Sequence, residues 1–173
     1  MRALWMAAAI VLALALQTTV AFTLASQHAA VDLVLIAVVY LALAAGPEAG
    51  LLGGSVAGLA QDALAGGVVG VGGLSKSLVG FLAGLVATQF IVAGAAHRFV
   101  VFFLASLVNA GCFVGLYRVI DPPGVSASWS ALLTQALVNA LIGILAFRIV
   151  EGAPGWWHHR RMRRSALRSR GRI

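Results

Sequence analysis

Long, continuously apolar runs broken by short polar or Gly/Pro clusters fill most of the chain. Six segments emerge, at residues 4–24, 31 or 32–45, 51–64, 74–92, 99–119 and 129–150. About 20 apolar residues suffice to cross the hydrocarbon core of a bilayer, so each segment predicts a membrane helix, the second being the shortest. The breaks are the polar stretch Ser26-Gln27-His28, the Gly46-Pro47-Glu48 turn, a glycine-rich connection over 66–73, the turn from Gly94 to Arg98, and the Asp121-Pro122-Pro123-Gly124 loop. Proline and glycine end helices and release the chain to turn. None of the runs alternates with period two, so membrane barrel strands are not expected. In lipid the remaining way to satisfy the backbone is helical, and Trp156 and Trp157 follow where an interface is expected.

Composition agrees with this pattern. Of 173 residues, 61% are hydrophobic and 10% charged, against roughly 45–50% and about a quarter in soluble domains. One core could not hide that much apolar surface from water. The expectation is an all-α membrane protein, a six-helix transmembrane bundle over residues 1–152 with a basic cytoplasmic tail over 153–173. The first run is longer than a signal-peptide core and more apolar segments follow it, which favours an uncleaved first helix.

The net charge of +7 is local: seven of the twelve Lys and Arg residues are Arg160, Arg161, Arg163, Arg164, Arg168, Arg170 and Arg172. Basic residues flanking apolar spans mark the cytoplasmic side. Six spans put Arg2, the His97-Arg98 turn and this tail on one side, and His28, Arg118 and Lys76 on the other, so both termini are expected in the cytoplasm. The tail reads as a topology and anionic-lipid element, with a cytoplasmic protein contact as a further role, and nucleic acid is not an expected partner.

Small and polar residues inside the spans define the candidate sites. Gly50, Gly54, Gly58 and Asp62 recur every four residues and share one helix stripe; Gly80/Gly84 and Gly111/Gly115 repeat the interval. Such stripes let backbones approach closely, either within the bundle or against a partner helix. A carboxylate at mid-membrane costs about 2.5–3.5 kcal/mol on insertion scales, so Asp62 needs compensation. It reads as a helix-end residue pairing locally or capping the Gly66 turn, as a hinge touched by a partner, or as a proton or ion site; Lys76 is the nearest basic residue in sequence. Gln17, Asn109, Gln135 and Asn139 are intramembrane amides, the last two in line with Gly143, and suit cross-bundle hydrogen bonds.

Catalytic chemistry finds little to use. Ser75 and Ser77 lack a base at workable spacing, His158-His159 lacks further metal ligands, and no Gly-Lys-Ser/Thr follows the 66–73 glycines. The single cysteine, Cys112, permits neither an intrachain disulfide nor a thiolate metal cluster. No cofactor is expected.

The stretch from Gly53 through Ser55, Gly58 and Asp62 to Gly70 resembles the central signature of the rod shape-determining protein MreD family: a glycine-rich helix, an Asp followed by Leu and small residues, then a Gly opening the next helix. Asp62, Gly58 and Gly70 fall on matching positions, with Gly80 following. Gln17 resembles the family's Leu-Gln pair. Asp32 through Ile36, with Tyr40, resembles its second helix, which often opens Pro-Asp; here Val31 stands for the proline. The resemblance implies a non-catalytic scaffold of the bacterial cell-elongation complex in the cytoplasmic (inner) membrane. It would bind the MreC protein and help couple MreB filaments to peptidoglycan synthesis, with RodA and a class B transpeptidase as further partners. It also implies a bundle similar to the substrate-binding subunits of energy-coupling-factor transporters, though fold alone does not carry function. The competing reading is a small-molecule-binding transporter subunit, which requires a polar cavity using Asp62, Gln135 and Asn139.

Overall fold

The computed structural model describes residues 2–23, 31–66, 68–89, 94–120 and 128–170, with side chains of the first helix described at 8 and 10–19 and of the last up to 150. The Ser26–His28 and Asp121–Gly124 breaks, the side chains of Trp156 and Trp157, and those of the tail arginines lie outside the described residues. Among the described residues there are six helices: α1 Arg2–Thr23, α2 Leu33–Ala45, α3 Pro47–Ala65, α4 Val71–Gln89, α5 Ala95–Ile120 and α6 Trp129–Arg170.

The helix limits differ from the apolar runs for local reasons. α2 and α3 are separated by Gly46 alone, whose φ of +93° reverses the chain, while Pro47 occupies the first turn of α3, where its missing N–H is not needed. α3 therefore starts a turn before its apolar run. α4 starts at Val71, so Gly72 and Gly73 belong to the helix and not to the connection. α6 carries on past Val150 to Arg170, so the basic stretch continues this helix.

α4, α5 and residues 129–150 of α6 are long and apolar enough to cross a membrane. At 13 residues, α2 spans only about 20 Å. It forms the centre of the bundle: Val34, Leu35, Val38, Val39 and Ala42 are almost fully buried. α3 and α4 pack most intimately with one another, and both touch α2. α1 lies on α2 and α3, while α5 and α6 pair with each other and rest on α2, with α5 also on α4. Among the described residues, α1 and α3 make no close backbone approach to α5 or α6. The main core unites Leu35, Ile36 and Val39 of α2 with Val79 and Ala83 of α4, Phe102 of α5 and Ala140 of α6.

The bundle's outer surface is oily. Val56, Leu64, Leu82, Leu104, Leu141 and Ile149 all point outward. Buried side chains include Asp32, Asp62, Lys76, Ser106, Asn109 and Asn139. Polar groups inside an apolar shell are the arrangement that lipid, and not water, selects.

Candidate functional site: a polar centre under a cavity

The α3–α4 contact is made backbone to backbone. A Cβ on Gly50 would meet the carbonyl oxygen of Gly80, and one on Gly80 would meet that of Gly50. A Cβ on Gly54 would strike the Lys76 carbonyl, and one on Gly58 would fall 2.6 Å from the Gly73 Cα. Gly84 lies just as tightly against Pro47. These two stripes are thus filled by each other. Gly111 and Gly115 differ: both are exposed, and a Cβ on either would meet nothing within 4 Å.

This close approach delivers Asp62 to the start of α4. Its Oδ2 accepts hydrogen bonds from the backbone N–H of Gly70 (2.8 Å), Gly72 (2.9 Å) and Gly73 (3.3 Å). The first amides of a helix have no partner within it, and in lipid no water substitutes. One carboxylate satisfies three of them and faces the positive end of the helix dipole. Gly70, at φ +110°, holds a backbone conformation that turns its amide toward the acid, which a side chain would strain. Asp62 is therefore the cap of α4, across the turn from the Gly66 end of α3.

Lys76 does not pair with Asp62. Its Nζ lies 2.8 Å from Asp32 Oδ2, with both side chains buried. The reason is directional: Lys76 projects from α4 toward α2, and the Asp62 oxygen is already engaged by amides. Asp32 is a hub that hydropathy left unmarked. Its Oδ1 accepts from the Leu35 N–H at 2.9 Å, capping α2. Its own N–H donates to Asn139 Oδ1 at 3.0 Å. Asn139 Nδ2 in turn donates to Ser106 Oγ at 3.2 Å, and the Gly143 face one turn further on receives the Phe102 ring. From α1, Gln17 donates to the Val31 carbonyl and accepts from the Leu33 N–H, both at 2.8 Å. The start of α2 thereby ties α1, α4, α5 and α6 together.

An Asp directly before an apolar run is a readable helix start, so the capping half of the Asp32 role was available from sequence. The Lys76 pairing and the Ser106–Asn139 bond were not, because their partners are far apart along the chain.

Above this centre lies a cavity of about 350 Å³. α1 and α3 form one wall, α5 and α6 the other, and the Asp32–Lys76 pair lies between them. Of the predicted intramembrane polar residues, Gln17, Asp62, Asn109 and Gln135 line it, whereas Asn139 does not. Tyr117 spans the gap between the walls, its hydroxyl accepting from the Val68 N–H at 3.2 Å. The cavity sits at the end of the bundle where α6 begins, opposite the basic stretch.

Lys76→Ala is expected to lower unfolding free energy by about 3 kcal/mol, the lower end of the cost of orphaning a buried charge. Lys76→Met combined with Asp32→Asn should recover most of the loss. Thermal unfolding in mild detergent checks this. A single variant as stable as the parent would show the ion pair to be dispensable.

The family model of the rod shape-determining protein MreD matches residues 1–151. This chain belongs to the MreD family. It is accordingly a rod shape-determining membrane protein of bacteria. The match ends with the apolar part of α6, so the basic continuation lies beyond it. In this MreD-family chain Gly58, Gly70 and Asp62 form one device: Gly58 lets α4 come close, Gly70 at φ +110° presents its amide, and Asp62 caps the helix. No curated protein and no solved structure matches the chain.

Proposed function

We propose that the protein is a non-catalytic scaffold of the rod complex that binds an MreC-type membrane protein and helps couple MreB filaments to peptidoglycan synthesis by RodA and its class B transpeptidase partner. The observation that carries this reading is the contrast between glycine stripes. Gly50, Gly54, Gly58, Gly80 and Gly84 are spent on internal packing, while Gly111 and Gly115 lie open on α5. A small-residue face open to lipid permits close approach of another helix, and close packing drives helix association in membranes. On this reading α5 receives the MreC transmembrane helix. The chain lies in the cytoplasmic membrane with both termini inside, and residues 153–173 act as a basic cytoplasmic extension. Arg160, Arg161, Arg163, Arg164, Arg168, Arg170 and Arg172 hold anionic headgroups there, at about 1 kcal/mol for each residue near the surface.

Gly111→Leu with Gly115→Leu is expected to abolish co-purification with an MreC-type protein in mild detergent while leaving the melting temperature unchanged, since both positions are exposed and a Cβ at either meets nothing within 4 Å. Full retention of the partner by the double variant would exclude this face.

A further inference from the structure

The charged groups around the cavity are already satisfied. Lys76 and Asp32 are paired, and Asp62 holds three backbone amides. Two of the carboxamides are not. Gln61 on α3 and Asn109 on the facing α5 both line the space, and neither forms a hydrogen bond with the rest of the described chain. The oxygens Gln61 Oε1 and Asn109 Oδ1 are buried without partners, and Asn109 as a whole is only 5% exposed. An unpaired buried amide is destabilising, and a chain shaped only for packing would replace it with an alkyl side chain. Two such amides, on opposite walls of one cavity, are poised for something that enters it. Phe113 and Tyr117, whose ring centroids are 4.7 Å apart, add an aromatic surface to the same wall as Asn109.

We propose that this cavity is a binding site for a small uncharged molecule carrying a carboxamide-like donor–acceptor group beside an apolar or aromatic body. An uncharged ligand follows because each charged lining group is already engaged, Lys76 with Asp32, and Asp62, which has no ion-pair partner among the described residues, with three backbone amides through its Oδ2. The donor–acceptor group follows from the two carboxamides, each of which offers both an N–H and a carbonyl. The size follows from the volume. A space of about 350 Å³ lies near the lower end of the roughly 300–1,000 Å³ typical of small-molecule sites. Pockets with an apolar lining and a few convergent polar groups are the usual form of small-molecule sites. This inference stands apart from the scaffold reading, since the cavity faces inward from the Gly111/Gly115 stripe and does not use it.

The full-length chain in lipid nanodiscs, titrated with benzamide and followed by saturation-transfer NMR, tests the site. Toluene, benzoate and benzylammonium serve as comparators with the same ring. Benzamide is expected to bind at least tenfold more tightly than any of the three. Asn109→Leu and Gln61→Leu should each weaken benzamide binding about tenfold, the loss of one hydrogen bond. Both variants should melt at the wild-type temperature or above it, because an unpaired amide has been removed. Leu104→Ala, on the lipid-facing side of α5, should leave binding unchanged. A purely structural role for the amides would appear as lowered melting temperatures with benzamide binding intact, and would overturn the proposal. So would no benzamide binding at all, or toluene binding as tightly as benzamide, which marks partition into lipid. Co-purification of an MreC-type partner with both leucine variants is expected throughout, so loss of the ligand site and failure of the scaffold reading give separate results.

Discussion

Placing leucine at both Gly54 and Gly58 is expected to leave no folded protein. At each position the space for even one methyl group is taken by the α4 backbone, at the Lys76 and Gly72 carbonyls respectively. Neither obstacle is a side-chain tip that could swing away, so α3 and α4 must separate. Overpacking a core typically costs about 1–3 kcal/mol where side chains can adjust. Here the cost also includes the Asp62 cap, because the separation that admits leucine moves the carboxylate away from the α4 amides. Gly54→Ala alone should already lower stability by about 3 kcal/mol, at the top of that range. Size-exclusion profiles and thermal unfolding in mild detergent read both outcomes. A monodisperse Gly54→Leu/Gly58→Leu protein with a parental melting temperature would refute backbone contact between these helices.

Asp62→Ala is the second large effect. Three amides at the head of α4 lose their acceptor in a place where lipid offers none. Hydrogen bonds to a charged group contribute about 1.5–3 kcal/mol each, and their sum is less than additive when one atom serves all three. A loss of about 3–5 kcal/mol is expected, with rod shape failing in cells that depend on the variant. Asp62→Asn retains a carbonyl acceptor and should lose about half as much. A ranking in which Asn is as damaging as Ala would instead point to the charge itself, and so to the ion-site reading of this residue. Gly70→Ala probes the same device from the other side, since it strains the turn that aims the nearest amide.

The helical membrane character was legible from apolar run length alone, and the four-residue spacing of Gly50, Gly54, Gly58 and Asp62 marked the helix face that packs on α4. Run length failed at helix starts. α3 and α4 begin before their apolar stretches, because Pro47 suits a first turn and because an acid eight or more residues earlier can cap Gly70 to Gly73. The sequence distance between Asp62 and Lys76 made them natural partners. Packing gave Lys76 to Asp32 instead, because a helix aims each side chain along a fixed direction and only the neighbouring element decides what lies there.

The linear order of residues by itself therefore determined the solvent, the secondary structure and the family. Each depends on local composition and on spacing within one segment. Tertiary structure decided which of three similar glycine stripes remains open, which acid meets the buried lysine, and that Gln61 and Asn109 line one cavity from different helices. Those are relations between helices, set by how closely backbones can approach, and no periodicity within a single helix encodes them.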